Sequence, residues 1–357
     1  MTQIMKRKLI LVLVLVFSLV WVGSSHAGLS KNVDVAVVKA ELKIITFTSD
    51  HGVLKDNNSG WSDSGTAYSE PEWVKDTSTN NPITHTKNTK ITANVVVKVS
   101  PSGLNFDLTG SGSNYVTFEN IGNTSSGSDQ AISITANGNL PDNIAVLSES
   151  ITWKIKITGV SPVFEQDIGS SGPHKIYVTA GIPYGSVVTE KRVNHVTTLC
   201  NGMSSSHSCA GKIHDSTPAY ALGSPTPEPI WLIAGGTPAE CMDLAKFYKV
   251  GVEMLGFPTG SIVYIYPKLG FGAKETGSYG DNEIRASDGA KMIFQDYGVP
   301  PGNNNFEGAF KYSAEGLTKY YAGGAGIYPT IIDCMRDICD KTFWVTLYGL
   351  ELAEDWP

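Results

Sequence analysis

The sequence predicts a chain of more than one domain, an all-β sandwich followed by an α+β domain, and three observations predict it. From Gly28 to about Ile182, apolar residues alternate with Ser, Thr, Asn and Gly in short runs. Beyond that point cysteines and helical spacing appear, and all five cysteines lie there. The 357 residues are also more than one core usually supports, so two domains of roughly 150 residues each are expected.

The first residues are set apart from both. Lys6, Arg7 and Lys8 precede an apolar run from Leu9 to Val22 broken only by Ser18, and "GSSHAG" follows with small residues before Gly28. This pattern predicts a secretory signal peptide, residues 1 to 27, cut after Ala27. The run of 14 residues is short of the ~18 expected of a membrane span. The expected mature protein is therefore exported, whether secreted, periplasmic or held at the cell surface, and has no membrane span. The residue directly after the cut is Gly28, not a cysteine that could carry a lipid. The net charge is −7 with no basic run outside the signal peptide, so nothing releases phosphate counterions and nucleic acid is excluded as a partner class. A protein or a cell-surface polymer remains.

Residues 28 to 183 form the expected sandwich. The runs "VDVAVV" (33 to 38), "LKIITF" (42 to 47), "ITANVVVKV" (91 to 99), "LNFDL" (104 to 108), "YVTF" (115 to 118), "ISITA" (132 to 136), "ITWKIKI" (151 to 157) and "KIYVTA" (175 to 180) alternate with period two. Short alternating runs between Gly, Pro, Asn and Asp clusters predict antiparallel strands with one buried face. Seven or eight of them suit a sandwich of immunoglobulin-like architecture, without the paired cysteines of an antibody domain. Between about Asp50 and Thr89 the text is polar and rich in turn residues, which predicts a long loop or decorated hairpin. Its Trp61, Tyr68 and Trp73 are candidates for stacking on a sugar ring, or else anchors that hold the loop to the sandwich.

Residues 184 to 357 form the expected second domain. A cysteine-bearing segment leads into a Pro-rich connector (216 to 231), a helix, a strand "SIVYIY" (261 to 266), a Gly-rich loop, a hairpin (306 to 324) and a closing segment with "FWVTLYG" (343 to 349). In an oxidising compartment Cys200 with Cys209, and Cys334 with Cys339, are disulfide candidates because each pair closes a short loop; other connectivities stay open. Cys241 is then the odd thiol.

That thiol opens a helix. Thr237 and Glu240 have the spacing of a capping box, with Pro238 at the first helical position. Cys241, Leu244, Ala245, Tyr248, Val252 and Leu255 fall on one face, and Gly256 and Pro258 end it. A helix N-terminus favours thiolate, whereas Glu240 and Asp243 oppose it. The alternative is a small buried residue on the core face.

"WLIAGGTPAECMDLAKFYKVGVEMLGFP" places a Trp ten residues before the cysteine, a Gly-rich approach, and an Asp two residues after it. It resembles the cysteine motif of transglutaminase-like domains, over roughly residues 185 to 350. The resemblance implies a papain-like α+β fold and a Cys, His, Asp triad for acyl transfer or amide hydrolysis through a thioester. It also implies a histidine two residues before an aromatic; here that aromatic is Phe306 and Asn304 holds the place. No histidine follows Cys241, and no aspartate stands in "YYAGGAG". Asparagine cannot take the thiol proton near neutral pH. An upstream base, His195 or His214, could stand in, with His207 expected to be solvated.

Other patterns carry less. "CMRDIC" lacks a second pair for zinc, "GFGAKETG" lacks the order of a phosphate loop, and Asp56, Asn57, Asp63, Asp281, Asn282 and Glu283 offer oxygens for calcium without EF-hand spacing. No cofactor or metal is expected. The sequence therefore predicts a β-sandwich joined to a degenerate, non-catalytic module for surface binding or assembly. The alternatives are a cysteine hydrolase or acyltransferase, and a carbohydrate-binding adhesin.

Overall fold

A computed structural model describes residues 37 to 338, except 49, 59, 62 to 63, 69 to 70, 114, 219, 222 to 223, 269 to 271 and 278 to 305. Strand predominates, and the described residues from Val38 on belong to one compact unit. The runs at 33 to 36 and 343 to 349 lie outside the described residues, as does the Gly-rich loop beyond 277.

Alternation in the first half has its expected consequence. One four-stranded sheet runs β4-β1-β6-β9, from β1 (Lys39–Phe47), β4 (Trp73–Val74), β6 (Thr92–Ser100) and β9 (Asp129–Thr135). A five-stranded sheet runs β5-β11-β10-β7-β8, from β5 (Ile83–Thr86), β7 (Asn105–Ser111), β8 (Thr117–Thr124), β10 (Ala145–Ile157) and β11 (Phe164–Thr179). Leu42, Ile45, Val95 and Val97 of the first share a core with Phe106, Leu108, Ile151, Trp153, Ile176 and Val178 of the second. Trp153 is fully buried, and its indole N–H donates to Ser171 Oγ at 3.0 Å. Gly110 makes room for it, since a Cβ there would come within 2.8 Å of the ring.

The expected long loop at 50 to 89 is more ordered than its polar text suggests. It holds the small sheet β2 (Leu54–Asp56) with β3 (Gly65–Ala67), and then β4 and β5. Two strands of four residues or fewer, "WV" and "ITHT", give too little alternation to be seen in sequence. They are recruited by tertiary partners: β4 pairs antiparallel with β1, and β5 parallel with β11.

β11 carries the chain between two cores. Ile176 and Val178 point into the sandwich, while Tyr177 between them enters a second core on the outer face. That face is covered by α1 (Glu190–Leu199), followed by α2 (Ser206–Asp215), a 3-10 turn (Ile230–Gly235) and α3 (Cys241–Met254). Trp231 of the turn packs edge-on against Phe247 of α3. A five-stranded antiparallel sheet, β13-β12-β14-β15-β16, closes the second core: β12 (Ser261–Lys268), β13 (Gly272–Thr276), β14 (Glu307–Ala314), β15 (Leu317–Ala322) and β16 (Ile327–Tyr328). Helix α4 (Ile331–Ile338) follows. Among the described residues no helix is long and apolar enough to cross a membrane.

The start of α3 corrects one expectation. The helix begins at Cys241 with Glu240 as N-cap, no side chain caps it, and Thr237 and Pro238 stay outside. Ala239 is held extended instead, bridging in parallel with Tyr220, and its carbonyl accepts from the N–H of Ala221. The end is as expected, with Gly256 at φ +74° after the last turn.

Candidate functional site

Cys241 is the first residue of α3 and only 2% exposed. All six residues of the predicted stripe, from Cys241 through Leu255, are buried. The N-terminal end of α3 is pressed against the open end of the β14–β15 hairpin, where β14 begins and β15 ends, with no space to spare. A Cβ on Gly323 would stand 1.8 Å from the Cys241 carbonyl oxygen, and one on Gly308 would stand 2.8 Å from the Met242 nitrogen. Both positions therefore require glycine.

Several groups set the state of the sulfur. Burial is the largest influence and pushes the thiol pKa up, the carboxyl of Glu307 pushes it further, and Glu240 adds to both. The N–H groups of Gly308 and Met242 point at the sulfur and pull the other way, as a helix N-terminus should. The balance leaves the thiol well above its ordinary value, so Cys241 is a thiol near neutral pH. The nucleophile is the thiolate, not the thiol.

Glu307, which lies in none of the sequence motifs, is the most unusual group here. It begins β14 with 0% exposure. Its Oε1 accepts from the Gly324 N–H at 2.8 Å, and Oε2 is buried without a partner. Burial pushes its pKa up to about 8 against the pull of the Gly324 and Gly323 N–H groups. At neutral pH it is a carboxylic acid. The signal for it in sequence was a lone acid in the otherwise uncharged stretch "FEGAF".

Among the described residues no histidine hydrogen-bonds the Cys241 sulfur. His195, on α1, lies edge-on to Trp61 with ring centroids 5.5 Å apart and is 6.4 Å from the ring of Phe247, more than a turn along α3 from Cys241. Burial lowers its pKa, and its Nε2 has no partner. His214 donates from Nε2 to the Ala325 carbonyl at 3.0 Å and meets Asp215 through Nδ1 at 2.9 Å. His207, expected to be solvated, is buried: its Nε2–H reaches the Ala314 carbonyl at 3.1 Å, and Nδ1 accepts from the Tyr321 hydroxyl at 2.9 Å. It pins α2 to the hairpin, which is why it turns inward. A cleft of about 240 Å³ lies between His214, Tyr248 and Gly323, and the sulfur does not line it. Asn304 falls outside the described residues, while Phe306 is partly buried with its ring 5.2 Å from Tyr264.

Each of the loop aromatics is tied down at one point. Trp61 stacks on Trp231 at 5.9 Å, with the Lys191 ammonium 4.5 Å from its ring centre. Tyr68 donates its hydroxyl to Glu190 at 2.6 Å, and Trp73 is buried in β4. Asp56, weighed as a calcium ligand, instead accepts from the Lys191 N–H at 2.9 Å in the first turn of α1. No group of three or more metal-ligating side chains occurs among the described residues.

Cys200 caps α1 and Cys209 sits in the first half of α2, both fully buried. They are side by side as thiols, with the Cys200 sulfur 3.7 Å from the Cys209 carbonyl, and no disulfide joins them. Cys334 is buried on α4, and Cys339 falls outside the described residues. What the Cys241 arrangement can do chemically is hold a buried thiol within electrostatic reach of a buried neutral acid, with neither His195 nor His214 bonded to the sulfur. No family model matches the sequence, and no curated protein matches it.

Proposed function

We propose that this chain is an exported, non-catalytic protein in which an immunoglobulin-like sandwich is joined to a degenerate transglutaminase-like domain, and that it acts in binding or assembly at the cell surface. One observation carries this reading: the Cys241 thiol is 2% exposed, held well above the ordinary thiol range, and has no histidine bonded to it among the described residues. The resemblance of "WLIAGGTPAECMDLAKFYKVGVEMLGFP" supplies the domain type, and the basic and apolar start supplies export. Against the rival reading of a cysteine hydrolase stand the bond of His214 to the Ala325 carbonyl and the seat of His195 between the Trp61 and Phe247 rings, away from the start of α3.

The test is thiol reactivity in the folded chain. Iodoacetamide at pH 7 is expected to leave Cys241 unlabelled until denaturant is added, and amide or peptide substrates to be untouched. Rapid labelling of Cys241, together with substrate turnover that disappears in Cys241→Ala, would sink the proposal.

A further inference from the structure

Helix α1 covers only part of the outer face of the second sheet. On β10 and β11, Val146 stands opposite Tyr177 and Ser148 opposite Lys175, so all four share that face. Tyr177 is fully buried, whereas Ser148 is exposed and the Lys175 side chain is 41% exposed. The helix starts at Glu190. Between that start and the uncovered sheet lies a cleft of about 380 Å³, within the ~300 to 1,000 Å³ of small-molecule sites. Tyr68, Asn80, Ser148, Lys175 and Glu190 line it over an apolar wall that includes Val146.

Its polar groups are held in place before any ligand arrives. Glu190 Oε2 accepts from the Tyr68 hydroxyl at 2.6 Å; Oε1 accepts from the Tyr177 hydroxyl at 3.1 Å and from Lys175 Nζ at 3.2 Å. Asn80 donates from Nδ2 to the Pro173 carbonyl at 2.6 Å, which fixes the amide and leaves Oδ1 as an acceptor. The one ammonium and the one carboxylate neutralise each other, so neither a fixed anion nor a fixed cation gains by entering.

A sugar ring suits such a surface. Each of its hydroxyls both donates and accepts, which matches acceptors and donors set side by side, and its C–H face suits a tyrosine ring. A peptide suits it less. Strand addition needs a free edge, but β5 pairs with β11 over residues 176 to 179, and just before it Pro173 has no N–H to offer and its carbonyl already accepts from Asn80. We infer that the cleft between Tyr68, Lys175 and Glu190 is a binding site for a neutral saccharide. This rests on the reading of the chain as an exported binding protein, and it names the ligand class.

The test is an array of neutral and acidic glycans probed with the full chain, followed by titration of the best hit. Neutral glycans are expected to bind, Lys175→Ala and Asn80→Ala to weaken binding about tenfold each, and Ser148→Trp to abolish it by filling the cleft from an exposed position. Unchanged far-ultraviolet circular dichroism shows that the variants fold. An array without neutral hits, binding confined to acidic glycans or to peptides, or binding undiminished in Ser148→Trp would overturn the inference. Cys241→Ala is expected to bind as the parent does. Labelling of Cys241 would overturn the non-catalytic reading and leave the cleft standing, while a blank array with an unreactive thiol would do the reverse.

Discussion

At the Cys241 sulfur a helix N-terminus that favours thiolate meets burial that forbids it, and burial wins. The position on the helix was legible in sequence because a 3.6-residue stripe marks it, although the capping box expected at Thr237 and Glu240 does not form. Burial was offered only as one of two alternatives, because it depends on Gly323 and Gly308, eighty-two and sixty-seven residues away, closing over the start of the helix. The same closure makes Glu307 a neutral acid, and that has a consequence for pH. Its pKa rises from 4.5 in the unfolded chain to about 8 in the fold. Between those values the folded state binds the extra proton, so its contribution to stability is full below pH 4.5 and is lost as pH rises to about 8. Glu307→Gln, which mimics the protonated form, is expected to fold and to be more stable than the parent at pH 9, by on the order of a few kcal/mol. Urea unfolding at pH 5, 7 and 9 checks it; an equal or steeper loss in the variant across that range would show that Glu307 is not the group responsible.

Among the elements, strands long enough to alternate were legible, and so was the hairpin of β14 and β15. β4 and β5 were not, since two and four residues cannot show a period and only their partners β1 and β11 make them strands. The start of α3 meets the open end of the β14–β15 hairpin, at Gly308 and Gly323, with almost no room between backbones. Gly323→Ala is expected to cost about 3 kcal/mol or more, because its Cβ would meet backbone rather than a movable side chain. A midpoint in urea unchanged from the parent would show that the helix end can shift freely. In the sandwich, β11 carries His174, 1% exposed, with Nε2 2.9 Å from Ser171 Oγ and Nδ1 buried without a partner. Burial pushes its pKa down to about 4 from 6.5. The unfolded state therefore binds more protons between these values, and stability is lost as pH falls from 6.5 towards 4. His174→Gln is expected to flatten the fall in melting temperature between pH 6.5 and 4.5, and an unaltered slope would assign the acid sensitivity elsewhere.

Over the whole molecule, the two cores are not separate beads, because one strand feeds both and one loop ties them. Tyr177 of β11 belongs to the second core while its neighbours Ile176 and Val178 belong to the first. The connection between β2 and β3 leaves the sandwich and lays Trp61 on Trp231 and His195, both of the second core region. Composition could not show this, since a polar, turn-rich segment reads the same whether it is solvated or pinned by one ring. Gly235 lies under the same indole, where a Cβ would come within 2.8 Å of Trp61 Nε1, so the seat is shaped for it. Trp61→Ala removes a partly buried ring and should cost roughly 2 kcal/mol, less than the 3 to 5 of a fully buried one. It should also release the loop, because Trp61 rather than a long strand holds it. Limited proteolysis at low protease is then expected to cut first between residues 57 and 72, while the melting of both cores stays a single transition. Cutting at the parent's rate would mean that the Tyr68 to Glu190 hydrogen bond and the β2–β3 pair hold the loop without the indole.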